Sequence, residues 1–335
     1  MIRLRAGEPL QKPRVALSMS ATLAKHLFDD ATWARLAAVA DIHPHILEDL
    51  GSPDARTALA QTDVLITGWG GPRIDDEVIS AAPRLRAIAS TGGGTGCGRG
   101  SLAHARGLRL TNARAANSRP VAEYALAMIL LAGKFAFRSA RVYEERRAFV
   151  DREAEFPDAG NRGRLVGIVG ASTTGRLTIE LLRPFDLPVA VYDPYLTDEE
   201  ASSLGVTRLD LDDLMRTCTV VSVHAPEAPE TYHLIGPAQL KAMPDRATLI
   251  NTARGSIVDT DALVAELATG RIDAILDVTD PEPLPTGHPL WTLPNVLLTP
   301  HTAGSMGNEL LRLGESAVVE VERLAAGLPP LAPEA

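Results

Sequence analysis

The sequence predicts an α/β protein built from two doubly wound parallel sheets, with one domain inserted into the other. Three observations carry this. Short β-rich apolar runs alternate with helical patterns, the signature of βα units joined by right-handed crossovers. Those runs show little polar alternation, as strands covered on both faces do. The 335 residues, at about 150 per domain, are enough for two domains with their own cores.

In chain order, the first third holds strands at Arg14–Ser18, Val64–Thr67, Leu85–Ser90 and Leu108–Thr111. Helical patterns fall at Thr22–Val39, Pro53–Ala60 and Asp75–Ala82. The middle third holds strands at Leu165–Val169, Val189–Tyr192, Val220–Val223, Thr248–Asn251, Ala274–Asp277 and Val296–Thr299. Two long helices bracket this middle set. The first runs over Arg119–Phe149, with Ser118 as N-cap and Pro120 in the first turn. The second runs over Ser305–Ala326 and stops at Gly327, with Pro329 and Pro330 beyond. Asp151–Gly163 is polar, contains Pro157 and two glycines, and reads as a loop. The expected division is an outer domain of residues 1–111 and 300–335, an inserted domain of residues 112–299, and a cleft between them.

Composition excludes several function classes. The formal net charge is −9, against a nucleic-acid binder that works by neutralising phosphates. Six Phe, five Tyr and three Trp are too few for base-stacking platforms. Cys97 and Cys218 lie far apart and form no metal-ligand spacing, so no metal is expected and the chain reads as cytoplasmic. No run of about 18 apolar residues suggests a membrane span.

The run Leu165–Val169 leads into Gly170-Ala-Ser-Thr-Thr-Gly175 and then a helix, the spacing of GxGxxG with Ser172 in the second glycine's place. The first glycine permits the tight turn and the third a close helix–strand approach. The helix N-terminus then offers amides and a positive dipole end to a pyrophosphate. The next strand ends at Asp193, where a carboxylate can accept from ribose hydroxyls and disfavours a 2′-phosphate. Dinucleotide binding follows, with NAD preferred to NADP. The plain alternative is an ordinary βαβ turn with Asp193 capping.

Later strand ends each present a polar residue: His224, then Arg254, then Asp277 and Glu282, then His301. In a parallel sheet the carboxyl ends line the ligand crevice. Hydride chemistry on a 2-hydroxy acid needs a base near neutral pKa, which His301 supplies. It needs a carboxylate to orient that imidazole, and Glu282 fits. It also needs a fixed cation on the substrate carboxylate and carbonyl, and Arg254 fits. Singly, each has a bland reading as a cap, a surface ion pair or a solvated acid.

These residues stand in GIVGASTTGR (167–176), VYDPY (191–195), VSVHAPEAPETYHLIG (221–236), INTARGSIVDTDAL (250–263), LDVTDPEPLP (276–285) and NVLLTPHTAG (295–304). In that order they resemble the D-isomer-specific 2-hydroxyacid dehydrogenase family over nearly the whole chain. The resemblance implies a flavodoxin-like substrate domain and an inserted Rossmann NAD-binding domain. It implies that Arg254, Glu282 and His301 are catalytic. It places Thr173 and Thr174 on the pyrophosphate, Asp193 on the ribose and Asp277 on the nicotinamide amide, with Gly170, Ser172 and Gly175 also binding the cofactor. His224, Ala225, Pro226, Thr231, Thr252, Ala253, Arg254, His301 and Gly304 fall in motifs that line the cofactor. Thr91, Gly92, Gly93 and Asn117, with Arg254, fall on the substrate side.

Departures from the family pattern lie there too: Gly96 stands where an Asp is usual, and Arg114 where a Pro is usual. Trp69 and Phe149 read as packing residues. Arg73, Arg99, Arg114 and Arg119 flank substrate-side loops and leave room for a second anionic group. The expectation is an NAD(H)-dependent reductase of a small 2-keto acid, equally a 2-hydroxyacid dehydrogenase. A phosphite- or formate-type oxyanion dehydrogenase and a non-catalytic NADH-sensing binding protein are the alternatives. The resemblance also implies a homodimer, through Arg119–Phe149.

Overall fold

The structure is a computed structural model that describes residues 12–98 and 100–334; Arg99 lies outside them. The chain divides into two compact units, Met1–Asn117 with Ser305–Ala335, and Ser118–Gly304.

In the first unit the strands are β1 (Arg14–Ser18), β2 (Asp41–Ile42), β3 (Val64–Thr67), β4 (Ala87–Ser90) and β5 (Arg109–Thr111). They pair in parallel in the order β2-β1-β3-β4-β5, the doubly wound order of flavodoxin-like sheets. Alternate residues enter opposite cores. Val15, Leu17 and Ile66 pack on one face with the helix at Leu310–Ala325, while Ala16, Leu65 and Ile88 pack on the other. This is why the runs lack polar alternation: both faces of each strand are covered.

The second unit contains β6 (Val166–Val169), β7 (Val189–Tyr192), β8 (Thr207–Arg208), β9 (Val220–Val223), β10 (Thr248–Asn251), β11 (Asp273–Leu276) and β12 (Val296–Leu298). The order β12-β11-β10-β9-β6-β7-β8 is again all parallel and reverses between β6 and β9. Leu249 and Leu276 face one core, Ile250 and Ile275 the other.

Several expectations are corrected. The two divisions fall after Asn117 and Gly304 rather than after residues 111 and 299. The long helix begins at Arg114, not Arg119: the Asn112 side chain accepts from the Arg114 amide at 3.0 Å, while Ser118 lies inside the helix and is buried. Pro120 is therefore an interior proline. That helix also stops at Gly133 and resumes as Ala136–Arg146 after a 52° bend, so Arg119–Phe149 is not one helix. At the break Phe135 adopts a left-handed conformation (φ 51°) that buries its ring edge-on to Phe156 and under the Arg164 guanidinium. The expected loop supplies Phe156, with Arg164 just beyond its end, and contains a short helix, Arg152–Glu155, capped by Asp151.

Thr22–Val39 is likewise two helices, Ala21–Leu27 and Asp30–Val39. Asp29 caps the second by accepting from the Thr32 amide at 2.8 Å, and a cap outcompetes continuation. The last helix starts at Leu310, after a 3₁₀ turn at Gly307–Glu309, and ends before Gly327 as its stop signal predicts. Among the described residues no single helix is long and apolar enough to cross a membrane; 114–133 and 136–146 reach that composition only as a bent pair.

Candidate functional site

The order reversal between β6 and β9 is where an open α/β sheet leaves a crevice for a ligand, and the glycine turn lies there. Gly170 has φ +100°, and a Cβ on it would stand 2.6 Å from the Ala225 amide nitrogen. A Cβ on Gly175 would stand 2.1 Å from the Gly170 carbonyl oxygen. Both positions require glycine, and His224–Ala225 form the wall behind the turn.

Ser172 is the N-cap of the helix Thr173–Leu182. Its hydroxyl accepts from the Gly175 amide and donates to the His224 carbonyl at 2.7 Å. It thus latches the turn to β9, a role a glycine could not fill. Among the described residues the amides of Ser172, Thr173 and Thr174 meet no protein acceptor. They open toward the helix N-terminus, with its positive dipole end. The Thr174 hydroxyl pairs with Ser118. The Asp193 carboxylate accepts from the Ala171 amide at 2.7 Å and the Tyr195 amide at 2.8 Å, so it braces the turn.

His224 is buried, with Nε2 2.9 Å from the Ser222 hydroxyl, and burial pushes its pKa down to about 4. The imidazole is neutral at physiological pH. Downstream, the Thr231 hydroxyl donates to the Pro226 carbonyl and closes the 226–231 turn. The hydroxyl of Thr252 is buried with no partner among the described residues, a polar atom left for a ligand. Asn251, buried at the end of β10, accepts from the Ala253 amide and donates to the Arg254 carbonyl, so it shapes the turn that presents Arg254.

Gly255 sits so close to the next loop that a Cβ would be 2.0 Å from the Thr279 carbonyl carbon. This contact presses the Arg254 turn against the loop carrying Glu282. Asp277, also buried, receives the Thr299 hydroxyl at 2.6 Å, the Thr302 amide at 2.7 Å and the Ala303 amide at 2.9 Å. The His301 amide donates to the Asp277 carbonyl at 2.9 Å, and His301 itself has φ +55°. The turn from Thr299 to Gly304 is thereby wound around one carboxylate. It sets His301 Nδ1 2.7 Å from Glu282 Oε1, with both side chains about half exposed.

Arg254, Glu282 and His301 thus stand on neighbouring loops of one unit. The Asp277 carboxylate is tied to the His301 turn, while its amide donates to the Asn251 carbonyl. Ser222, Asn251, Gly255 and Thr299 carry the site's geometry and were not singled out from sequence. For Asn251 and Thr299 the signal was a polar residue closing an apolar run. Tyr124, whose hydroxyl is 2.9 Å from Thr299, had no such signal.

In the other unit, Thr91–Gly93 follow β4. The Thr91 amide donates to the Thr67 carbonyl and the Gly92 amide to the Ser90 hydroxyl, so neither is open to a carboxylate. Among the described residues the amides of Gly93 and Gly94 meet no protein acceptor, which moves the available donors along the loop. Asn117 accepts from the Ser305 amide at 2.8 Å and pins the two points where the chain changes unit. Arg114 donates to the Gly93 carbonyl, and Arg119 pairs with Glu123. Trp69 is 46% exposed with its indole nitrogen against Gly92, and Phe149 is 91% exposed, so neither is a packing residue. Among the described residues no cluster of His, Cys, Asp or Glu is arranged to hold a metal.

Residues 126–303 match the family described as "D-isomer specific 2-hydroxyacid dehydrogenase, NAD binding domain". The chain is 33% identical over 262 residues to a D-3-phosphoglycerate dehydrogenase of Archaeoglobus fulgidus, across 77% of this chain and 48% of that one. It is 34% identical over 263 residues to a glyoxylate reductase of Aeropyrum pernix, across 77% of this chain and 78% of that one. The chain spans about half the length of the phosphoglycerate dehydrogenases it matches. Among solved structures, the apo D-mandelate dehydrogenase of Rhodotorula graminis superposes with a TM-score of 0.78 at 26% identity, covering 97% of this chain and 98% of that one.

Proposed function

The chain belongs to the D-isomer-specific 2-hydroxyacid dehydrogenase family, with the family's NAD-binding domain at residues 126–303, and from that premise we propose that it reduces a small 2-keto acid, or oxidises the matching 2-hydroxy acid. One observation carries the reading: His301 Nδ1 lies 2.7 Å from Glu282 on loops packed beside the Arg254 turn.

The turn fits NAD(H). Gly170 and Gly175 leave a cradle a Cβ would fill, and the three open amides face a helix N-terminus. The amides of Ser172, Thr173 and Thr174 would hold the pyrophosphate and Asp193 the ribose hydroxyls, a carboxylate there opposing a 2′-phosphate. When bound, the nicotinamide supplies or accepts the hydride. The protein's residues supply the rest. An ionised Glu282 accepts only, so Nδ1 of His301 carries its proton toward it and Nε2 faces outward to exchange a proton with the substrate oxygen. The guanidinium of Arg254 takes the substrate carboxylate and polarises the carbonyl.

Two further readings belong with this one. The helix Ala136–Arg146 buries no residue, and Tyr143 (65%) and Phe149 (91%) expose their rings, which supports a homodimer through this segment. Light scattering would return one-chain mass if that is wrong. Both cysteines are free and buried, consistent with a reducing, cytoplasmic setting. The activity is tested by a panel of 2-keto acids with NADH and NADPH, alongside phosphite and formate with NAD. Turnover of at least one keto acid, faster with NADH, is expected. Intact NADH binding with no keto-acid turnover would overturn the reading.

A further inference from the structure

Glu227 follows the His-Ala-Pro segment after β9 and was not among the residues singled out from sequence. Its Oε1 accepts from the Ser256 hydroxyl at 2.8 Å, and its Oε2 stands 3.9 Å from Nε of Arg254. Arg254 Nη1 meanwhile donates to its own neighbour, the Ala253 carbonyl, at 2.6 Å. The guanidinium therefore has a tethered carboxylate on its Nε edge and a backbone carbonyl on part of Nη1. Among the described residues its Nη2 meets no partner, which leaves that side to a ligand.

We propose that Glu227 is a specificity-determining residue that biases the Arg254 subsite toward monoanionic 2-keto acids and against dianionic ones. This rests on the reading that Arg254 binds the substrate carboxylate. Both side chains are more than half exposed, so the pair is too weak and too open to act as a rigid clamp. What it contributes is charge. A ligand anion on Nη2 lies within about one guanidinium width of the Glu227 carboxylate. At ~6 Å in water, repulsion between unit charges weakens binding about threefold for each ligand charge. A monoanion meets that factor once and a dianion meets it twice, whereas a purely geometric role would affect both alike.

Oxamate and oxalate separate the two cases, because they share size and shape and differ by one charge. Their Kd values are measured by calorimetry on the NADH-bound protein, for wild type and Glu227→Gln, which keeps the side-chain length and the acceptor for Ser256. Glu227→Gln should bind oxamate about threefold and oxalate about tenfold tighter, with both gains shrinking in high salt. Glu227→Asp, which keeps the charge, should retain the wild-type ratio of the two Kd values. Equal changes for both anions, no change, or weaker binding would overturn the proposal. So would a wild-type NADH complex that binds neither anion. Binding of both anions without turnover of any 2-keto acid would defeat the proposed activity instead, and the charge ratio would still decide the role of Glu227. Melting temperature and NADH affinity matching wild type identify a folded variant. If Glu227→Gln fails that check, Glu227→Ser carries the same comparison.

Discussion

Gly255 packs its Cα against the Thr279 carbonyl so tightly that a Cβ would stand 2.0 Å from the carbonyl carbon. The contact ties the turn presenting Arg254 to the loop presenting Glu282, so the site depends on an atom the sequence leaves out. Gly255→Ala must push the two loops apart. It should cost about 2 kcal/mol in urea unfolding and lower kcat/KM at least tenfold, with NADH affinity nearly kept. Wild-type kcat/KM in this variant would show that the loops' spacing is irrelevant to catalysis.

His301→Ala and Glu282→Gln test the pair at 2.7 Å. Losing a positioned acid/base group costs about 10²–10⁴ in rate, so kcat should fall in that range for His301→Ala and less for Glu282→Gln. The NADH Kd from fluorescence titration should stay within about twofold. A matching loss of cofactor affinity would contradict the assignment.

Ser172 separates capping from phosphate access. Ser172→Ala removes the cap and the bond to the His224 carbonyl and should cost about 1–2 kcal/mol. Ser172→Gly should cost less, because glycine is a tolerated N-cap. If both variants unfold at the wild-type urea midpoint, the latch contributes nothing.

His224 gives stability a pH dependence of known sign. Its imidazole titrates at about 4 in the folded protein and near 6.5 in the unfolded chain. Between those values the unfolded chain binds more protons, so stability falls as the pH drops. The contribution is intact above pH 6.5 and is lost progressively down to pH 4, about 3 kcal/mol in all. Subtracting the pH profile of His224→Gln from that of wild type should isolate this slope; parallel profiles would refute it.

Much of this was legible in the sequence because it depends on local chemistry. Apolar runs without alternation marked the central strands within a residue or two, but β2 and β8, with two residues each, left no pattern to find. Helix breaks at Phe28–Asp29 and at Phe135 escaped because each trades helical continuity for a cap or a buried ring. The open amides proved to be those of Gly93 and Gly94 because the Thr91 amide had already met the Thr67 carbonyl across the sheet and the Gly92 amide the Ser90 hydroxyl beside it.

By itself the sequence determined the α/β class, the glycine turn and the residue types at the strand ends, since spacing along one chain suffices for each. Tertiary structure alone decided which of those residues share a site. Gly255 against Thr279, Asp277 wound into the His301 turn and Glu227 beside Arg254 join segments far apart in the chain. Such contacts depend on close packing and on the pairing of buried polar groups, which only the folded sheet brings within reach.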